Sequence, residues 1–127
     1  MRGFLAAAFL LIPMADAWAQ PATPPPPAQQ YDVPTAPPQT VAVLTRDFVP
    51  GQSAGRHIHH GVEITIIIRG DFQLSVDGSA PHVYHIGDSF IIPRDIPHDI
   101  KNVGTAAGTI AITYVIDKGS PIRIPVP

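Results

Sequence analysis

From residue 40 onward, apolar and polar positions alternate in short runs that fit β-strands. Residues 40–48 (TVAVLTRDF) alternate with β-branched side chains, and residues 63–69 (EITIIIR) form the near-continuous apolar run of a buried strand. Residues 72–76 (FQLSV) alternate at period two, as a strand does with one face inside and one outside. Gly70-Asp71 and Asp77-Gly78 are turn dipeptides on either side of that run. Residues 82–86, 89–92, 98–103 and 109–117 continue the series, separated by Gly87-Asp88, the proline-bounded turn 93–97 and Gly104. No stretch carries a capped helical stripe, and no internal repeat is visible. Short strands with a turn signal about every ten residues predict an all-β sandwich or small barrel. Its expected core is Ile66, Ile68, Phe72, Leu74, Phe90, Ile92, Ile112 and Tyr114.

The segment before residue 40 has a different grammar. Residues 1–19 place Arg2 before an apolar run at 4–12, a break at Pro13, and small residues in Ala17-Trp18-Ala19. That is the three-part pattern of a secretory signal peptide, with cleavage expected after Ala19. The run is too short for a span of about 30 Å of hydrocarbon, which takes roughly 20 residues, so no stable membrane insertion is expected after cleavage. Residues 20–39 hold half of the chain's 16 prolines. Proline fixes φ and donates no hydrogen bond, so this stretch is expected as an extended linker rather than a helix or a central strand. The expected organisation is therefore a signal peptide at 1–19, a Pro-rich linker at 20–39, a β-barrel domain at 40–119 and a C-terminal tail at 120–127. The expected location is the periplasm or outside the cell.

Composition narrows the chemistry. The chain has 127 residues, a net charge of −2 and no cysteine. One domain fits that length, and the charge argues against a nucleic-acid partner. The absence of cysteine excludes disulfide scaffolds, thiolate metal sites and cysteine nucleophiles. What stands out instead is six histidines. His57 and His59, two apart on a strand, project to one face while Ile58 points away. Residues 60–62 can turn the chain so that Glu63 returns beside them. Two imidazoles and a carboxylate on adjoining strands make a plausible facial set for a divalent cation, and His98, just after a proline-rigid turn, is a further candidate.

Two blocks around these residues resemble the paired motifs of the cupin superfamily. The first matches the pattern G-x5-H-x-H-x3-E-x6-G at Gly51, His57, His59, Glu63 and Gly70. The second matches G-x5-P-x-G-x2-H-x3-N at Gly87, Pro93, His98 and Asn102, with Asp95 where the pattern has glycine. Asp tolerates positive φ better than most residues, so the turn is expected to survive. The resemblance implies a jelly-roll, or double-stranded β-helix, barrel with His57, His59, Glu63 and His98 as metal ligands. The ion would be iron, manganese, nickel, zinc or copper. It further implies a small chelating ligand or substrate, with dioxygenase, isomerase or lyase chemistry. The alternative is a module that binds a metal or small ligand without turnover.

Catalytic residues beyond the ligands are not identified by the sequence; Glu63, Tyr84 and His82 are the candidates. His82, Tyr84 and Ile86 share one face of their strand and Val83 and His85 the other, and either face can line the barrel. His60 and Arg56 read as loop and rim residues, Arg94 and Asp95 as a polar turn, and the motif glycines as turn formers. A domain this small buries a modest share of its surface, so a homodimer is expected.

Overall fold

The computed structural model describes residues 29–33 and 37–127; the expected signal peptide and most of the expected linker lie outside them. Ten strands follow in order: β1 (Gln29–Val33), β2 (Gln39–Phe48), β3 (His57–Ile58), β4 (Gly61–Arg69), β5 (Phe72–Val76), β6 (His82–Tyr84), β7 (Ser89–Ile92), β8 (His98–Asn102), β9 (Gly108–Asp117) and β10 (Ile124–Pro125). There is no helix among the described residues. The strands form two five-stranded sheets, β1-β2-β9-β4-β7 and β10-β3-β8-β5-β6, and the strand pairs are antiparallel.

Strand alternation builds the core between the sheets. Along β9 every second residue is buried, so Ile110, Ile112, Tyr114 and Ile116 face inward. Ala42 and Phe48 of β2, Ile67 of β4 and Phe90 and Ile92 of β7 join them from the same sheet. Phe72, Leu74 and Ile100 face them from the other. Phe48 and Phe72 meet edge to face across the gap, with ring centroids 5.4 Å apart, a geometry that aromatic quadrupoles favour. Asn102 is fully buried and ties the end of β2 to the loop between β8 and β9. Its amide donates to the carbonyls of Phe48 and Ala106, each at 2.9 Å, and its Oδ1 accepts the Gly104 N–H at 2.9 Å.

Three expectations change. Ile66 and Ile68 are not core residues: they are 45% and 50% exposed, while Ile67 is buried. Glu63, Thr65 and Ile67 occupy the inward phase of β4, which sends the even-numbered residues outward. Residues 29–33, assigned to the linker, pair with β2 as an edge strand, Tyr31 opposite Val41. The five residues QQYDV contain no proline, and an edge position suits a segment flanked by them. The tail is part of the second sheet, because Ile124 and Pro125 pair with Ile58 and His57. The three motif glycines, Gly51, Gly70 and Gly87, all take positive φ, between 77° and 88°, as turn formers should. Asp95 also does so, at 58°, and its N–H donates to the His59 carbonyl at 3.0 Å. The turn therefore survives the loss of glycine.

Candidate metal centre

Three backbone elements converge on one point inside the barrel. β3 delivers His57 and, just beyond it, His59; β4 delivers Glu63; β8 delivers His98, which pairs directly with His57. All four side chains are buried, and one donor atom from each lies within 4.8 Å of the others. The His57 and His98 rings are 4.3 Å apart between centroids, and His59 lies 4.9 Å from His57 and 5.1 Å from His98.

The hydrogen bonds fix which nitrogen each ring turns inward. His57 Nδ1–H donates to the Gly55 carbonyl at 2.6 Å and His98 Nδ1–H to the Ile96 carbonyl at 2.9 Å. His59 Nδ1–H donates to the Ile122 carbonyl. A carbonyl only accepts, so each ring carries its proton on Nδ1, and a neutral ring presents a bare Nε2 to the centre. Glu63 Oε2 nevertheless lies 2.8 Å from His59 Nε2 and 3.3 Å from His98 Nε2. Lone pair against carboxylate repels at such distances. The contacts are favourable only with positive charge between them, either a proton or a metal ion. Burying a charge costs several kcal/mol after relaxation, which adds to the demand for compensation. Backbone carbonyls on the outer nitrogens are also the usual way a metal-binding imidazole is oriented. The donor set thus fits a divalent transition ion by its chemistry.

Charge states agree. Burial alone would raise the Glu63 carboxyl, but hydrogen bonds from His59, His98 and Thr65 outweigh it and hold it at about 2. Thr65 Oγ1 donates to Glu63 Oε1 at 2.6 Å, leaving Oε2 for the centre. Burial lowers His57 to about 4, helped by the neighbouring His98 and His59. Burial also opposes charge on His98, but the Glu63 carboxylate and the Ile96 carbonyl raise it overall.

His60 stays out of the cluster and pairs with Asp95 at 2.6 Å, and Arg56 pairs with Asp77 at 2.5 Å, both at the surface as expected. His82 and Tyr84 lie on the edge strand β6, separated from β8 by β5. They share the face of Phe72 and Leu74, their partners in register. The two rings are 4.7 Å apart, and Tyr84 packs 5.0 Å from Phe90. The structure does not bring either into the cluster. Tyr114, expected as core, stands opposite Glu63 in register, with its ring centroid 4.7 Å from that of His59. Burial, reinforced by the Glu63 charge, raises its phenol well above the usual value, so it stays protonated. Thr65, the Ile122 carbonyl and Arg123 are the other neighbours that local sequence reading missed. Thr65 follows from period two once Glu63 is placed inward, whereas the Ile122 carbonyl and Arg123 arrive from a distant segment that no local spacing reveals.

A small barrel whose interior gathers three imidazoles and a carboxylate has donors that could hold a metal ion in a rigid β-cup. Residues 45–116, more than half the chain, match the family described as "Cupin domain", and the chain belongs to that family. It is similar to the HTH-type transcriptional regulator PuuR of Escherichia coli (strain K12), 34% identical over 77 residues, 60% of this chain and 40% of the regulator. It is also similar to oxalate oxidase GF-3.8 of Triticum aestivum, 29% identical over 87 residues, 62% of this chain and 39% of the oxidase. The chain spans about two fifths of the length of these curated relatives. A solved structure of recombinant oxalate oxidase in complex with glycolate shares the fold. Its TM-score is 0.59 at 24% identity, covering 68% of this chain and 52% of that one.

Proposed function

We propose that the protein is an exported, metal-dependent cupin enzyme whose His57, His59, Glu63 and His98 hold a divalent transition ion for a small chelating substrate. The observation that carries this reading is the convergence of four buried donor atoms within 4.8 Å. Iron, manganese, nickel, zinc and copper all suit the donors. The ion would supply Lewis acidity, or redox chemistry if it is iron, manganese or copper, so dioxygenase, isomerase and lyase reactions are the candidate classes. The chain's own contribution is positional. Thr65 keeps Glu63 turned so that Oε2 meets the centre, and the carbonyls of Gly55, Ile122 and Ile96 lock the rings. The Tyr114 phenol, kept protonated, packs its ring against His59. Export rests on the signal-peptide pattern of residues 1–19. Among the described residues no helix is long and apolar enough to cross a membrane.

A panel of carboxylates, catechols and diketones, assayed with each metal and with chelator, tests this reading. Turnover that requires one metal supports it; tight binding of a ligand with no turnover under any metal overturns the enzyme in favour of a binding module. Similarity to a segment of a transcriptional regulator gives that second reading its support.

The homodimer belongs to the same proposal. Val43, Thr113, Ile64 and Ile91 form a continuous cross-strand row on the outer face of the first sheet, with Ile66 and Ile68 further along. Exposed apolar rows of this kind mark association surfaces. The wild type should sediment as a dimer, and Ile66→Glu with Ile91→Glu should give monomers of unchanged metal content. A monomeric wild type at assay concentrations would remove the dimer.

A further inference from the structure

We propose that Arg123 is the anion-binding residue of this centre, and that the ligand it selects is a small carboxylate. This rests on the metal reading above and names the substrate class for it. Arg123 immediately precedes β10, whose Pro125 pairs with His57, so it enters the second sheet beside the strand that carries His57. Its Nη2 donates to the carbonyl of Ala54 at 2.6 Å and to that of Gly55 at 3.3 Å. Gly55 is the same carbonyl that orients His57, and the preceding residue, Ile122, supplies the carbonyl that orients His59. One short segment therefore grips two of the candidate ligands and sets a guanidinium beside them. The positive charge is felt at both His57 and Tyr114.

The Arg123 Nε–H is buried and has no hydrogen-bond partner among the described residues. A buried N–H on a charged group is costly to leave unmet, and a carboxylate is the group whose geometry suits a guanidinium edge. Arg46 is the other inward cation, but it lies 4.6 Å over the Phe48 ring and is engaged there. The favoured ligand thus has one oxygen for the centre and a carboxylate for Arg123. A neutral chelator can accept from the Nε–H but leaves the guanidinium charge uncompensated.

The test is calorimetric titration of the full-length protein, loaded with zinc, using glycolate and its neutral analogue glycolamide, with metal content measured in parallel. The wild type should prefer glycolate. Arg123→Gln should lose roughly 10–100-fold in glycolate affinity and far less in glycolamide affinity, at unaltered zinc content. Arg123→Lys should recover part of the loss. A wild type that binds both ligands equally, or an Arg123→Gln that weakens both alike, overturns the proposal. If Arg123→Gln sheds zinc, the preference of the wild type and its retention in Arg123→Lys decide the matter. A wild type that takes up no zinc refutes the metal reading alone, because a preference of the metal-free protein for glycolate still reports on the guanidinium.

Discussion

Glu63→Gln should abolish metal-dependent stabilisation while leaving the barrel folded. The substitution keeps the shape, and the Gln amide oxygen can still accept from Thr65, which now donates to Oε1 at 2.6 Å. Its amide N–H can donate to the bare Nε2 of His59, now 2.8 Å from Oε2. The metal-free variant should therefore melt no lower than the metal-free wild type. What it loses is the only carboxylate of the donor set. Removing an outer hydrogen-bond partner typically costs about 10–100-fold in metal affinity, and loss of a ligand should exceed that. An ion present at about 100 times its Kd stabilises the native state by about 2.7 kcal/mol, which for a domain this size raises Tm by roughly 10–20 °C. That rise should be seen in the wild type and vanish in Glu63→Gln and His98→Ala. His60→Ala is the control, because its imidazole is spent on Asp95 at the surface. Equal metal content in all four proteins would refute the ligand assignment.

The pH dependence of uptake should follow His98. His57 at about 4 and Glu63 at about 2 keep free donor atoms in weak acid. His98 is raised, so in the metal-free protein it already holds a proton at and below the ordinary imidazole value of 6.5. Metal must displace that proton. Affinity should therefore fall as pH drops through the raised His98 value, with about one proton released per ion bound in that range. Proton release measured in two buffers of different ionisation enthalpy checks this.

The four clustered donors were legible because each obeys a local rule. His57 and His59 share a strand face by period two, Glu63 opens the next strand, and His98 follows a turn made rigid by Pro93 and Pro97. The phase of β4 was legible too, but only through Glu63. Read as a hydrophobic run, residues 63–69 give no phase, since Ile64, Ile66, Ile67 and Ile68 are all apolar. Placing Glu63 inside forces Thr65 and Ile67 inside with it and turns Ile66 and Ile68 out. The support around the centre was not legible. Tyr114 reaches Glu63 through pairing of β9 with β4, far apart in the chain, and Ile122 reaches His59 from just before a two-residue strand at the sheet edge. Neither leaves a periodic trace. Likewise β1 sits in a proline-rich segment whose composition hides the five proline-free residues that pair.

Gly61→Ala should damage both the fold and the centre, by one cause. Gly61 opens β4 opposite Ile116, two residues after His59 and two before Glu63. A Cβ there would collide with the Val115 carbonyl oxygen and lie 2.5 Å from Ile116 Cα, both backbone atoms that cannot swing aside. β4 and β9 would have to separate at the point that sets the distance from His59 to Glu63. Overpacking of a well-filled interior costs about 1–3 kcal/mol, or roughly 5–20 °C in Tm for a domain of this size. Separation of the strands also moves Oε2 from its place between His59 and His98, so metal affinity should fall along with Tm. Gly78→Ala distinguishes strain from site damage. Gly78 has φ of 80° in the turn after β5, with nothing near its missing Cβ, so an alanine there pays only the left-handed backbone cost of about 1–2 kcal/mol. It should lower Tm without changing metal affinity. If Gly61→Ala behaved like Gly78→Ala, weaker but fully able to load metal, then the close approach of β4 to β9 would not be what sets Glu63 against the histidines.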